Sequence, residues 1–262
     1  MEKISPPIIF FEEYPHKKEN QIKAELLDFP CIVFLAANNI KEFYAYKREY
    51  LKINPNIELA WWPVFKTVWL SPFTSPQEIE NLIFQLKKEK SREEKLKILL
   101  DLELPFLRAQ YFLIGLKHFK KSKQLIERLI EKSKELNVEI YTFEYPPNFL
   151  IFPFLLEKLG LTFLKINVGY KRILSCYTSS TPIVLRAMMK KTVLKEAKKD
   201  TREIFIALGL FARGRVRWEK LIKPAGLKKD LNYFLSKNVN KFAFFRLGGL
   251  NQEFLKIIHL YL

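Results

Sequence analysis

The stretch KILLDLELP, residues 97–105, is a short apolar run that ends in two carboxylates and a proline. A short, nearly continuous apolar run is typical of a strand that is buried on both faces, as strands of parallel sheets are. Similar runs recur along the whole chain. The predicted strands are Pro7–Glu13, Pro30–Ala37, Ile57–Trp62, Lys97–Glu103, Val138–Glu144, Arg172–Tyr177, Glu203–Gly209 and Lys241–Leu247.

Helical patterns separate these eight runs. Ser75–Glu78 offers an N-cap serine, a proline at the first helical position and an acid at the third, and Thr181-Pro182 repeats the start signal. Asn137 and Gly160 are typical of helix ends. Eight strands that alternate with helices over about 250 residues predict a (β/α)8 barrel, the TIM barrel.

The main alternative is a doubly wound open parallel sheet, which has the same alternation. It is the weaker interpretation because the first strand lacks the Gly-x-Gly-x-x-Gly turn of dinucleotide-binding sheets. No linker rich in Pro, Gly or Ser divides the chain. We therefore expect residues 1–262 to form a single barrel domain.

The chain is strongly basic, with 45 Lys and Arg against 28 Asp and Glu and a net charge of +17. Its hydrophobic content of 48% excludes the intrinsically disordered class. The lysines alternate with glutamates in amphipathic segments, which is typical of solvated helix faces. Without an arginine-rich arm or a Cys/His finger, a nucleic-acid partner is not expected. Weak contact with an anionic membrane surface, helped by the apolar segment 148–156, stays an alternative.

The two cysteines, Cys31 and Cys176, lie in apolar runs, so we expect no disulfide framework. The start of the chain has no apolar core of a signal peptide, and no window approaches a membrane span. These features predict a cytoplasmic protein. The three histidines are His16, His118 and His259, which are scattered, and the sequence predicts neither a metal nor a cofactor.

Carboxylates follow several predicted strands, at the end of the barrel where such folds hold their active sites. Asp101 and Glu103 are two apart and point to the same side, with backbones roughly 6.6 Å apart. Glu144 ends the neighbouring strand. Glu12 and Glu13 are adjacent and must face opposite ways, so only one of them can join a site. Desolvation and mutual repulsion can split the pKa values of such acids into acid and base roles.

Aromatic and basic residues follow the same strand ends. Trp61 and Trp62 close the third strand, Tyr177 the sixth, and Arg246 the eighth. Aromatic faces stack on sugar rings, so these residues are candidates for substrate binding. A competing signal is Gly248-Gly249 before a helix, which is typical of a phosphate site in a phosphosugar lyase or isomerase. A non-catalytic basic barrel that binds anionic surfaces is the third interpretation.

The stretch Ile98–Glu103 resembles the Asp-x-Glu strand end of barrel-type lysozymes of glycoside hydrolase family 25. More distantly, it resembles the tail of the chitinase motif of family 18. The resemblance implies that Glu103 donates a proton and that Asp101 assists it. The sequence thus favours a glycosidase-like hydrolase acting on a saccharide, with Asp101 and Glu144 as base or stabiliser. Retaining, inverting and substrate-assisted mechanisms all stay open.

Overall fold

The structure is a computed structural model that describes residues 8–65, 69–91, 93–103, 109–147, 153–164, 166, 169–200, 202–214 and 220–261. Its strands form one closed parallel barrel in chain order. The strands are β1 Ile8–Glu12, β2 Ile32–Ala37, β3 Glu58–Pro63, β4 Leu96–Asp101, β5 Val138–Glu144, β6 Lys171–Ser175, β7 Ile204–Leu210 and β8 Phe242–Phe245. The predicted (β/α)8 barrel is confirmed. The open-sheet alternative is wrong because β1 pairs with β8 as well as with β2.

Helices connect successive strands. Those in the described part of the chain are α1 Lys18–Gln21, α2 Ile40–Ile53, α3 Pro76–Glu89, α4 Ala109–Leu116, α5 Phe119–Glu131, α6 Pro153–Lys158, α7 Ile183–Lys199, α8 Pro224–Leu235 and α9 Gln252–His259. Short 3-10 turns span Ile22–Leu26 and Leu247–Gly249. Among these helices no segment has the length and apolarity needed to cross a bilayer.

The predicted helix signals are mostly confirmed. Ser75 caps α3, since its hydroxyl oxygen accepts from the backbone N–H of Glu78. Asn137 and Gly160 have φ values of 55° and 61°, the left-handed conformation typical of helix ends. Thr181 differs, because its hydroxyl donates to the carbonyl of Tyr177 and caps nothing.

Alternation along the strands sorts their side chains into an inner and an outer set. The inner set fills the barrel with large apolar side chains, among them Phe11, Phe34, Tyr141 and Phe205. The outer set packs against the helices in a larger cluster. Neighbouring residues belong to opposite sets. A side chain at a strand end can therefore reach the barrel axis only if it lies an even number of positions from an inner-facing residue of the same strand.

Charged side chains of alternating sign form a layer at the N-terminal end of the barrel, each at an inner position at the start of a strand or directly before it. Its members, from β3 to β8, are Glu58, Lys97, Glu139, Lys171, Glu203 and Lys241. Each is ion-paired with at least one neighbour in the layer. This charge layer fills the N-terminal end of the barrel.

Candidate active site

A cleft opens at the C-terminal end of the barrel. It brings together three carboxylates and six aromatic rings. The residues that line it are Phe11, Glu13, Trp62, Trp69, Leu99, Asp101, Glu103, Phe143, Tyr177, Leu210, Gly214 and Phe245. Of the predicted site residues, the structure therefore gathers Glu13, Asp101, Glu103, Trp62 and Tyr177 in one pocket.

Strand alternation explains which acids enter the cleft. Phe11 and Leu99 belong to the inner set, and Glu13 and Asp101 each follow one of them by two positions. Glu103 continues the same alternation beyond the end of β4, with its backbone N–H donating to the carbonyl of Asp101 over 2.8 Å. Glu13, rather than Glu12, is thus the acid of its pair that faces the cleft.

Asp101 is, with Glu13, one of two deeply buried carboxyls in the cleft. Only 5% of it is exposed, and its Oδ1 accepts no hydrogen bond from any described residue. Burial raises the pKa of Asp101 well above the usual range, and repulsion from Glu103 and Glu13 raises it further; the nearby indole N–H of Trp62 opposes this shift. Asp101 therefore holds a proton at pH values where an exposed aspartate is ionised.

Glu103 is half-buried at the edge of the cleft, so it lies nearer to solvent than Asp101. Two close carboxyls cannot both ionise easily, because the first negative charge raises the pKa of the second. The Asp101–Glu103 pair is consequently able to retain one proton at a pH where exposed carboxyls are ionised, and to release it at the cleft edge.

Glu13 is buried against Gly214, which follows β7. A Cβ atom at residue 214 would overlap Oε2 of Glu13 and would lie 2.8 Å from the ring of Phe245. Glycine at this position therefore leaves the space that the Glu13 carboxylate occupies in the cleft.

The aromatic lining is continuous around Phe11. The ring of Phe11 lies 5.9 Å from that of Trp62, 5.8 Å from that of Phe143 and 6.3 Å from that of Phe245, measured between centroids. Tyr177 extends the wall, 6.0 Å from Phe143. The cleft thus offers flat apolar faces beside its acids.

Sequence reasoning missed several of these lining residues. Phe143 could have been found, because it is two residues after the inner-facing Tyr141 on β5. Trp69 belongs to the tryptophan cluster that follows the third strand in the sequence, and it reaches the cleft from a loop through an antiparallel bridge to Val64. Gly214 also comes from a loop, outside the strand pattern.

Trp61 points the other way from Trp62. Its indole N–H donates to the carbonyl of Ala37 over 3.0 Å, and its ring stacks on Phe43 in the outer core. Trp61 is therefore placed away from the cleft that it was predicted to line, by the same alternation that brings Trp62 in.

Glu144 is also placed away from the cleft. It follows the inner-facing Phe143 and is fully buried on the outside of β5. Its carboxylate accepts from Arg172 over 2.7 Å and 3.1 Å, and from the hydroxyls of Thr142 and Thr162 over 2.5 Å and 2.6 Å. These contacts account for Glu144 as part of a buried ion-pair network, and we do not include it in the catalytic set.

Glu12 and Arg246, two predicted substrate-binding residues, lie outside the lining of the cleft. Glu12 is fully buried, and Nε of Arg246 is 3.9 Å from its Oε1. The Arg246 guanidinium lies over the ring of Tyr14, 4.7 Å from the centroid. Burial raises the pKa of Glu12 to about 7, although the Tyr14 N–H, the Arg246 charge and the Gly248 N–H lower it.

The loop proposed for phosphate uses its glycines internally. The N–H of Gly248 donates to Glu12 over 2.6 Å, and that of Gly249 to the carbonyl of Arg246 over 3.0 Å. The side chain of Asn251 accepts from the first N–H groups of α9. With these donors engaged, the phosphosugar interpretation loses the feature that suggested it.

Two further predictions concern metals and membranes. Within the described ranges, no three His, Cys, Asp or Glu side chains are arranged to hold a metal ion. In the segment 148–156, residues 148–152 lie outside the described residues, while Phe154 and Leu155 are exposed. Ile183 and Val184, at the start of α7, are 78% and 84% exposed. Contact with an anionic surface stays a prediction.

Comparisons with known proteins find similarity in structure only. No family model and no curated protein sequence matches the chain. A family 18 glycoside hydrolase chitinase from Pseudoalteromonas aurantia aligns over 97% of this chain and 99% of its own, with 11% identity and a TM-score of 0.61.

Two other solved structures align over 98% of this chain at 10% identity. A xylose isomerase domain protein from Planctomyces limnophilus is covered over 96% of its length, with a TM-score of 0.56. The spore cortex-lytic enzyme SleL of Bacillus megaterium QM B1551 is covered over 74%, with a TM-score of 0.55. A family 18 chitinase is thus among the structural neighbours, as the sequence resemblance suggested, whereas the resemblance to family 25 stays a prediction. At these identities the similarity establishes the TIM-barrel fold of this chain.

Proposed function

We propose that this chain is a glycoside hydrolase-like enzyme that cleaves a saccharide by general acid/base catalysis in the C-terminal cleft. The observation that carries the proposal is the convergence of Glu13, Asp101 and Glu103 in one aromatic-lined pocket. Barrel enzymes place their chemistry at this end of the strands, and paired carboxyls are the usual groups for glycosidic cleavage.

The burial and the protonation of each carboxyl determine the role that we assign to it. Glu103, at the cleft edge, gives a proton to the glycosidic oxygen as the bond from that oxygen to the anomeric carbon breaks. Asp101 assists Glu103 by favouring the protonated form of Glu103, because two carboxyls this close do not both ionise easily. A water molecule adds its oxygen to the anomeric carbon and passes a proton to the Glu13 carboxylate. The leaving oxygen has then gained one proton and the anomeric carbon one hydroxyl.

The aromatic wall supports a sugar substrate in particular. Trp62 and Tyr177 line the cleft, and C–H-rich faces of sugar rings stack on aromatic side chains. Trp62 also carries an indole N–H, unpaired within the described residues, that can donate to a sugar hydroxyl. Together these groups would orient the glycosidic bond beside Glu103.

The test compares two glutamate-to-glutamine variants on a panel of chitin, chitosan, xylan and peptidoglycan fragments, with products detected by mass spectrometry. We expect Glu103→Gln to lower kcat at least about 100-fold on any substrate that the unmodified protein cleaves. The matched control is Glu25→Gln, at an exposed residue that does not line the cleft, and this variant should retain full activity. Proton NMR of the first product anomer would distinguish retention from inversion.

Two results would contradict the proposal. One is full activity of Glu103→Gln, with a folded state verified by circular dichroism. The other is the absence of cleavage of every saccharide in the panel by the unmodified protein.

A further inference from the structure

The cleft is acidic, although the chain as a whole carries a net charge of +17. Its lining includes the carboxyls of Glu13, Asp101 and Glu103, and no Lys, Arg or His among the residues that the structure describes there. A phosphorylated or uronic acid ligand would meet repulsion from all three carboxyls. The charges of the described part of the lining therefore disfavour anionic ligands.

The aromatic rings in the cleft add to the same preference. Phe11, Trp62, Phe143, Tyr177 and Phe245 surround the acids with their π-systems. A ring face attracts a cation within about 6 Å of its centroid, more strongly when water is excluded. Aromatic walls with carboxylates are the combination that recognises ammonium groups, whereas a neutral hydroxyl gains only stacking from the walls.

Two buried polar atoms in the cleft also lack partners. The indole N–H of Trp62 lies close enough to the Asp101 carboxyl to lower its pKa, but it has no hydrogen-bond geometry to any described residue, and Oδ1 of Asp101 accepts no hydrogen bond from any. Asp101 is 5% exposed and Trp62 is 3% exposed, so bulk water satisfies neither atom well. A buried polar atom without a partner destabilises the empty cleft. A ligand that carries both a donor and an acceptor would relieve both atoms.

We propose that the cleft binds a cationic amino sugar, with its ammonium group between Asp101 and Glu13 and its ring against the aromatic wall. An ammonium group has three N–H donors, which suits the unpartnered Oδ1 of Asp101. A neighbouring sugar hydroxyl accepts from the indole N–H of Trp62. This inference rests on the proposed function, since it names the substrate class of the same cleft.

Binding of such a ligand is coupled to a proton. The groups that face Asp101 are Glu103 on its own strand, Glu13 beyond β1, Trp62 on β3 and Tyr177 beyond β6. The pKa of Asp101 is raised by burial and by the two glutamates, and an adjacent ammonium favours the ionised carboxylate. A cationic sugar therefore releases a proton as it binds, at a pH where Asp101 of the empty cleft is protonated, and a neutral sugar does not.

The experiment measures the binding of three methyl glycosides that share one pyranose scaffold: methyl β-glucosaminide, methyl N-acetyl-β-glucosaminide and methyl β-glucuronide. We expect the ammonium compound to bind at least about tenfold more tightly than the N-acetylated one, and more weakly as salt is added. The glucuronide should bind the weakest. Calorimetry in two buffers of different ionisation enthalpy should show proton release for the ammonium compound only.

Variants separate the ammonium site from general cleft integrity. Asp101→Asn and Glu13→Gln should each weaken methyl β-glucosaminide about tenfold and change the binding of the N-acetylated compound less than twofold. Asp101→Asn should also abolish the proton release. Glu25→Gln is the matched control and should change neither.

The outcomes distinguish this inference from the proposed function. Preference for the ammonium compound without cleavage of any saccharide would support the ligand class and contradict the glycosidase. Cleavage of neutral saccharides, with equal or tighter binding of the N-acetylated compound, would overturn the ligand class and leave the glycosidase standing. Tighter binding of the glucuronide would also overturn it.

Discussion

The backbone N–H of Gly248 donates a 2.6 Å hydrogen bond to Oε2 of Glu12. This bond ties the loop after β8 to the end of β1, across the seam where the barrel closes. The other carboxylate oxygen of Glu12 accepts from the N–H of Tyr14 over 2.8 Å and from the Asn20 amide over 2.9 Å. Glu12 is therefore a structural residue that joins three segments around the closure.

Glu12 predicts a pH dependence of stability. Burial raises its pKa to about 7 in the folded protein, against 4.5 for the ordinary group. A raised folded-state pKa favours folding fully below about pH 4.5, and this contribution is lost as the pH rises through 7. We expect the free energy of unfolding of Glu12→Gln to fall less between pH 5 and pH 8 than that of the unmodified protein, by at most about 3 kcal/mol. Urea denaturation at both pH values measures the free energy of unfolding. An equal change in this free energy for the variant and the unmodified protein would contradict the prediction.

A substitution of Lys171 tests how much the charge layer contributes to the stability of the fold. Its Nζ lies 2.8 Å from Glu139 and 2.8 Å from Glu203. Burial alone would raise the pKa of each acid, but hydrogen bonds from their lysine partners leave both pKa values lowered. We expect Lys171→Met to destabilise the fold by about 1–3 kcal/mol at pH 7, and by less as the pH falls through these lowered pKa values and both acids become protonated.

The control for Lys171 is Lys41→Met, at an exposed position of α2. Thermal unfolding at pH 7 and at pH 3 compares the two variants. An equal effect of both variants at pH 7, or an undiminished Lys171 effect at pH 3, would show that the layer contributes little through charge.

Glu144 separates stability from catalysis. Glu144 is fully buried, and Glu144→Gln removes one of three carboxylates that pair with the buried Arg172; Glu196 and Asp200 remain at 3.0 Å and 2.6 Å. We expect a loss of about 1–3 kcal/mol in unfolding free energy, with kcat per folded molecule within twofold of the unmodified protein. Activity measured beside the folded fraction tests this. A 100-fold loss of kcat in folded protein would return Glu144 to the catalytic set.

Gly214 predicts a steric limit in the cleft. Alanine at this position would collide with the Glu13 carboxylate and the Phe245 ring. We expect Gly214→Ala to weaken saccharide binding at least about tenfold, because one of these two side chains must shift into the cleft. The matched control is Gly169→Ala, where no heavy atom lies within 4 Å of the added carbon. Equal binding by both variants would argue against the arrangement of Glu13.

Trp62 predicts a shift in the pH profile of activity. Turnover should fall at high pH as Asp101 loses its proton, and the Trp62 indole N–H lowers the pKa of this carboxyl. Trp62→Phe keeps an aromatic ring and removes the N–H, so the alkaline limb of kcat/KM should move to higher pH. An alkaline limb that stays in place, or moves to lower pH, would show that the Trp62 N–H does not lower the pKa of the carboxyl that must stay protonated for turnover.

The barrel itself could be predicted from the sequence because each strand is a compact apolar run. Val138–Glu144 is predicted and observed with the same bounds, and the other seven differ by small shifts at their ends. Strand ends are the least constrained part, since the apolar pattern continues into loops that leave the barrel. Pro7, the predicted first residue of the first strand, lies outside the described residues.

The candidate site could be predicted only in part. Asp101 and Glu103 were found because both continue one strand in steps of two, which keeps them on a single side. Glu144 and Trp61 were placed wrongly relative to the cleft because strand-end position was used without the alternation of their own strand. Tyr141 of the same strand faces inward, and Glu144 follows it by three positions, so strand alternation would have placed Glu144 on the outer side. Residues that reach the cleft from loops, such as Trp69, follow no period that a sequence can reveal.

The charge layer at the N-terminal end of the barrel also distinguishes the correct strand order from a misassembled one. From β3 to β8, each strand brings a sign opposite to that of its neighbours. If β5 paired with β7 and skipped β6, Glu139 would lie beside Glu203, and the two acids would repel each other at close range. Omission of any single strand between β3 and β8 has the same effect. The three glutamates and three lysines, whose charges sum to zero, thus favour the correct order of the strands over an order in which one strand is skipped.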